Sequence, residues 1–142
     1  MKTFVGSYFF NVDSKGRLFI PASMRGTLGG EGVLTRGLER CLFLFPIEEW
    51  EKIVSSFNSL SFAKKEVRAF LRLLLAGASL VSVDGQGRIQ IPSFLREYAK
   101  LEKEVAVIGV GNRIEIWAKD RWTVYEKDML LKFEEVAEEI FT

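Results

Sequence analysis

The chain contains no histidine. That absence removes the commonest general base, the commonest metal ligand and any triad of the Ser-His type. There is one cysteine, Cys41, so no disulfide can form within the chain. It sits in the run CLFLF, where a small buried apolar residue is the plain reading. The longest apolar stretch, AFLRLLLAGASLVSV, is too short to span a bilayer and carries Arg72, so no membrane association is expected. The opening MKTFVGSYFF lacks a long apolar run before a small-residue cleavage site, which makes the cytoplasm the expected compartment. An excess of one charge is also missing, with 20 Lys and Arg against 19 Asp and Glu. No metal-ligand spacing and no phosphate-cradling G-x-x-x-x-G-K-[ST] loop occurs. The acidic pairs Glu48/Glu49, Glu134/Glu135 and Glu138/Glu139 are adjacent on expected helices. Neighbouring helical side chains diverge by about 100°, so these pairs do not converge on one substrate atom. The expectation is a protein that is not an enzyme, with no cofactor, no metal and no small-molecule substrate.

What the chain does have is a repeat. Residues 13–25 read DSKGRLFIPASMR and residues 84–96 read DGQGRIQIPSFLR, a shared frame of D-x-x-G-R-[LI]-x-I-P-x-x-x-R at an offset of 71. Gly37, Phe45 and Trp50 line up with Gly109, Trp117 and Trp122 at an offset of 72. An ordered repeat of this length marks one structural unit per copy, each packing on its twin. A chain of 142 residues suits one compact domain, or two half-domains that share a core. A lone half would be marginally stable. Residues 1–77 are therefore read as the first unit and 78–142 as the second, packed intimately, with further burial between chains.

The local patterns are alike in both halves. FVGSYFFNV (4–12) is aromatic and partly alternating, as a strand is. Asp13-Ser14-Lys15-Gly16 is a turn, because Asp bonds its own backbone two residues on and Gly16 accepts positive φ. Arg17–Ile20 is the return strand, and Pro21 ends it ahead of a short helix, ASMRGTL. Two short strands surround Gly37-Leu38-Glu39. Pro46 opens a helix with Trp50, Ile53, Val54 and Phe57 on one face, and Ser61 is placed to cap a second helix that ends at Gly77. The second half restarts with Leu80–Val83, the turn Gly85-Gln86-Gly87, the strand Arg88–Ile91, Pro92 and the helix SFLREYA. Paired strands follow, then a single helix from Asp120 to the end. Its stripe of Trp122, Tyr125, Met129, Phe133, Val136 and Ile140 reads most simply as that of a packed amphipathic helix, whose aliphatic and aromatic end could dock on a neighbouring subunit. The fold class is mixed α+β, with antiparallel strands at the centre and helices outside.

The D-x-x-G-R turns carry the candidate chemistry. Asp13, Asp84 and Gly87 are read as bracing the turns. Arg17 and Arg88 suit bidentate contact to guanine edges or phosphate. Lys15 adds a phosphate-seeking charge to the first turn, whereas Gln86 in the second is neutral, so the loops should contribute unequally. Arg25 and Arg96 close the motif on the short helices. They either pair back onto a turn of this or the other half, or position a backbone phosphate. Charge is segregated along the chain: residues 1–77 hold 11 basic and 7 acidic groups, while residues 126–142 hold 2 lysines and 6 acids. Lys64, Lys65, Arg68 and Arg72 read as a solvated helix face.

The frame D-x-x-G-R-[LI]-x-I-P resembles the swapped-hairpin module of the AbrB class of bacterial DNA-binding proteins. Two copies in this length, with FVGSYFFNVDSKGR, FPIEEW and RLLLAGASLVSVDGQGR, are similar to the MraZ family of transcriptional regulators. The resemblance implies two AbrB-like β-barrel half-units that interleave as a pseudo-dimer within one chain, with flanking helices. It implies a ring-shaped homo-oligomer in the nucleoid, bound to short repeats in double-stranded promoter DNA of its own cell-division and cell-wall operon. It places DNA contact on Arg17 and Arg88, with Lys15 and Gly16 completing the first loop and Gln86 in the second. The competing reading is an oligomeric structural or adaptor protein that binds protein partners.

Overall fold

All three prolines mark the same event. Pro21, Pro46 and Pro92 each stand in extended backbone, with φ of −54°, −57° and −56°, immediately before a helix. Each ends a strand segment, because it has no N–H for the ladder, and its fixed φ leads into the first helical turn. In this computed structural model, which describes residues 2–142, the first half runs β1 (Ser7–Asn11), β2 (Arg17–Phe19), α1 (Ala22–Leu28), β3 (Glu31–Arg36), β4 (Leu42–Pro46), α2 (Ile47–Ser56) and α3 (Lys65–Ala76). The second runs β5 (Ser79–Ser82), β6 (Arg88–Gln90), α4 (Ser93–Ala99), β7 (Glu104–Gly109), β8 (Ile114–Ala118), α5 (Lys119–Leu130) and α6 (Phe133–Phe141).

The sequence repeat reappears as symmetry of strand order. Six strands form one antiparallel sheet in the order β1-β7-β8-β4-β3-β5, and β2 pairs with β6 in a separate two-stranded ribbon. Exchanging each strand with its counterpart four places along leaves that order unchanged. Most pairings cross between halves: β1 with β7, β3 with β5, β4 with β8 and β2 with β6. Neither half can complete its sheet alone. The sheets do not close into a barrel, however. Val12 gives its N–H to the Lys103 carbonyl while β2 turns towards β6, so the β1–β2 hairpin splays just above its turn and its strands join different sheets.

Alternation along the strands sorts the side chains into two layers. Leu34, Leu42, Leu44, Val105, Val107, Ile114 and Ile116 face the ribbon and the short helices, packing with Leu18, Ile20, Ile89, Ile91, Met24 and Leu95 in one core from both halves. The opposite face carries Phe43, Phe45, Ala106, Ile108, Glu115 and Trp117. There α2 brings Trp50 against Phe45, and α5 brings Trp122 and Tyr125 against Trp117. The repeated glycines mark close backbone approach: a Cβ on Gly109 would come within 2.6 Å of the Phe4 carbonyl carbon, and one on Gly37 within 2.8 Å of the Cys41 carbonyl oxygen.

Three sequence expectations need adjustment. The strand over 4–12 is interrupted at Gly6, whose φ is +89°; Phe4 pairs separately with Gly111, and the ladder resumes at Ser7. The second helix of the first half starts at Lys65, because the Ser61 carbonyl accepts the Lys64 N–H in a turn instead of capping. The C-terminal helix is two helices: Lys132, at φ −111° and ψ 4°, leaves helical geometry and closes a tight turn onto the Met129 carbonyl.

Candidate nucleic-acid interface

The two D-x-x-G-R turns fold identically. Asp13 Oδ1 accepts the backbone N–H groups of Lys15 and Arg17, each at 2.9 Å, and Asp13 Oδ2 accepts Arg17 Nε at 2.8 Å. Asp84 Oδ1 accepts the N–H groups of Gln86 at 2.8 Å and Arg88 at 3.0 Å, and its Oδ2 accepts Arg88 Nε at 3.1 Å. Gly16 and Gly87 complete the turns at φ of +79° and +82°, the left-handed region that favours glycine. Each aspartate thus satisfies two turn N–H groups and fixes its arginine at once. The Arg17 N–H is the first cause that holds the Asp13 carboxyl down at about 2, and the Arg88 N–H likewise lowers Asp84.

The ribbon brings the turns together. Leu18 pairs with Ile89 at its centre, and both point into the core. Arg17 lies opposite Gln90 and Arg88 opposite Phe19, on the ribbon's other face. The ladder extends through the Ile20 N–H to the Gly87 carbonyl and the Ile91 N–H to the Gly16 carbonyl. Arg88 Nη1 approaches Asp13 Oδ2 at 3.8 Å, so one carboxylate oxygen faces both motif arginines. Each Nε is held by its own aspartate, and the Arg17 and Arg88 side chains stay 31% and 24% exposed. Lys15 and Gln86 stand exposed at the turn tips.

Arg25 and Arg96 do reach across to the other half, among the described residues by packing and not by salt bridges. Arg96 lies over Gly16, where a Cβ would meet its Cζ at 2.8 Å, and its Nε donates to the Ile91 carbonyl at 3.0 Å. Arg25 lies over Gly87 and against the Phe19 ring, 5.1 Å from its centroid.

Two residues were passed over in the sequence. Gln90 donates from Nε2 to the Lys15 carbonyl at 2.6 Å, tying the second strand to the first turn. Phe19 faces Arg88 and carries Arg25. Both occupy the variable position between two inward-facing residues, so strand alternation marks them as outward. Among the described residues, no group of His, Cys, Asp and Glu is arranged to hold a metal ion, and no helix is long and apolar enough to cross a membrane.

The doubled arginine turn thus lies on one ribbon that both halves build. The family model described as "MraZ protein, putative antitoxin-like" matches twice, over residues 3–73 and 74–142. The chain belongs to the MraZ family, which consists of transcriptional regulators and not of enzymes. The protein named transcriptional regulator MraZ from Pelotomaculum thermopropionicum is 50% identical over 137 residues, covering 96% of this chain and 94% of the relative. Its namesake from Caldanaerobacter subterraneus is 50% identical over 136 residues, covering 96% and 95%. That from Thermoanaerobacter pseudethanolicus is 48% identical over 136 residues, with the same coverage.

Proposed function

We propose that this chain is a sequence-specific DNA-binding regulator that acts as a ring-shaped oligomer on short promoter repeats of its own cell-division and cell-wall operon. The observation that carries the reading is the placement of Arg17 and Arg88 on one ribbon face, each oriented by its own aspartate. A two-stranded ribbon is narrow enough for the DNA major groove. A guanidinium held through Nε presents two Nη donors end-on, which suits the O6 and N7 acceptors of guanine. Lys15 adds a phosphate contact at the first turn, and Gln86 a neutral polar one at the second. Arg25 and Arg96 act first as braces of the opposite turn, and their outer donors serve the backbone.

The palindromic strand order supports the swapped-hairpin pseudo-dimer, with the seam between residues 77 and 78. Near-neutral net charge fits a multivalent binder, because linked sites raise effective concentration and each contact need supply little.

The test is fluorescence anisotropy on the promoter fragment upstream of the protein's own gene, against a scrambled duplex, at two salt concentrations. A preference that survives the higher salt is expected. Equal weak binding to both duplexes, lost at higher salt, leaves only counterion release and favours the adaptor reading.

A further inference from the structure

The outward face of the ribbon is not symmetric. Across it Arg17 stands opposite Gln90 and Arg88 opposite Phe19. The flanking bonds run from the Ile91 N–H to the Gly16 carbonyl and from the Ile20 N–H to the Gly87 carbonyl. They make both pairs non-hydrogen-bonded pairs of the ladder, in which the Cα atoms are about 4.5 Å apart and the side chains stand closest. Each arginine therefore has one immediate neighbour across the ribbon. At the offset of 71 that neighbour changes from Phe19 to Gln90.

The two neighbours differ in chemistry. Phe19 is packed, with the Phe10 ring edge-on at 5.2 Å and Arg25 over its face at 5.1 Å. Gln90 is exposed, and its Nε2 donates to the Lys15 carbonyl at 2.6 Å. That bond fixes how the carboxamide is turned, because the reverse orientation would set two carbonyl oxygens against each other. Oε1 is then the end left without a partner among the described residues. Beside Arg17, which has only N–H donors, the ribbon thus holds an open acceptor. Beside Arg88 it holds a ring.

In the major groove guanine offers the acceptors O6 and N7, which suit Arg17, and thymine offers the acceptor O4. The donors there are adenine N6 and cytosine N4. An acceptor about 4.5 Å across the ribbon from Arg17 falls near the next base, since successive bases rise by about 3.4 Å. Oε1 meets a hydrogen at that base only when it is adenine or cytosine. Against thymine O4 or guanine O6 it meets another acceptor. We propose that Gln90 is a specificity-determining residue that selects a base with an exocyclic amino group beside the guanine taken by Arg17. The proposal rests on the DNA-binding reading of the ribbon and adds one base to what it reads. The Arg88–Phe19 pair has no counterpart to this acceptor, so the two ends of the site are read unequally.

The test is selection of bound duplexes from a pool with randomised positions, sequenced for the wild type, Gln90→Met and Gln90→Glu. Both substitutions remove the donor to the Lys15 carbonyl, and only Gln90→Glu keeps an acceptor. The wild type is expected to enrich adenine or cytosine over guanine or thymine at one position beside a guanine, by at least about fivefold. Gln90→Met is expected to keep the guanine and lose that enrichment. Gln90→Glu is expected to keep both, with weaker binding overall from the added negative charge. A wild-type profile in Gln90→Met overturns the proposal. Loss of the enrichment in both variants also overturns it, as the mark of a side chain that only holds the turn. Guanines selected by the wild type without an adenine or cytosine neighbour overturn it and leave the DNA reading standing. A wild type that enriches no sequence at all overturns both.

Discussion

Arg25 occupies the space that a side chain on Gly87 would need. The two residues belong to different halves, and the contact is mirrored by Arg96 over Gly16. The closing arginine of each motif copy therefore covers the turn of the other copy. This explains why the arginine recurs at the same distance after the proline. It acts between copies, and each half holds its partner's turn in shape.

Gly87→Ala is expected to destabilise the protein by about 1–3 kcal/mol, because the φ of +82° is unfavourable for any Cβ and Arg25 must also move. Gly85→Ala, two residues away, meets nothing within 4 Å and is expected to stay within about 0.5 kcal/mol of wild type. Urea unfolding of the two variants checks the contrast. Equal midpoints would show that the turn does not depend on this glycine.

The turn carboxylates make stability pH-dependent in one direction. Asp13 is lowered from its ordinary 3.8 to about 2, and Asp84 is shifted the same way. A depressed folded value means the contribution is complete above the unfolded value and fades as pH falls from about 3.8 through about 2. Carboxyl carbon shifts followed by NMR should place the Asp13 midpoint near 2. A midpoint at the ordinary value would mean that the paired N–H bonds are absent in solution.

Glu115 is the buried charge of the helical face, 8% exposed. It accepts Arg113 Nε at 2.9 Å and Trp117 Nε1 at 3.0 Å, and Arg113 Nη2 lies 2.8 Å from Oε2. Glu115→Ala leaves a guanidinium and an indole N–H without their acceptor, and is expected to cost about 3–5 kcal/mol. Substituting Glu104, whose ion pair with Lys119 is solvent-exposed, should cost under about 1 kcal/mol. Denaturant midpoints of the two alanine variants measure the difference.

Much of this architecture could be read from the chain because the repeat is so regular. The prolines located all three helix starts that they precede, and the glycines located both turns. Strand exchange between halves was harder. A contact within one copy and a contact between copies leave the same mark in a tandem repeat, so Arg25 could not be assigned to Gly87 beforehand. Glu115 carried no signal of its own, since its counterpart at the offset of 72 is Phe43, an apolar residue. The break at Lys132 was hidden because the apolar stripe continues through it. Periodicity reports which face is apolar and does not report whether the backbone stays helical.

The shared oxygen of Asp13 distinguishes the two turns. Its Oδ2 holds Arg17 Nε at 2.8 Å and faces Arg88 Nη1 at 3.8 Å, whereas Asp84, among the described residues, is paired only with Arg88. Arg17→Ala is expected to weaken specific DNA binding by about 1–3 kcal/mol per engaged contact with the fold and oligomer intact, and Arg88→Ala by less, because no lysine accompanies it. Asp13→Ala removes a negative charge near the ribbon face proposed to meet DNA, so attraction alone predicts tighter binding. Loss of orientation predicts the reverse, since both guanidiniums lose a restraint and their ordering must then occur on binding. Orientation is expected to win for specific DNA: Asp13→Ala should reduce preference for the operator more than Asp84→Ala does, while binding to scrambled duplex holds or rises. Anisotropy titrations of the four variants on both duplexes decide it. Tighter operator binding by Asp13→Ala would show that the arginines act as free charges rather than as aimed donors.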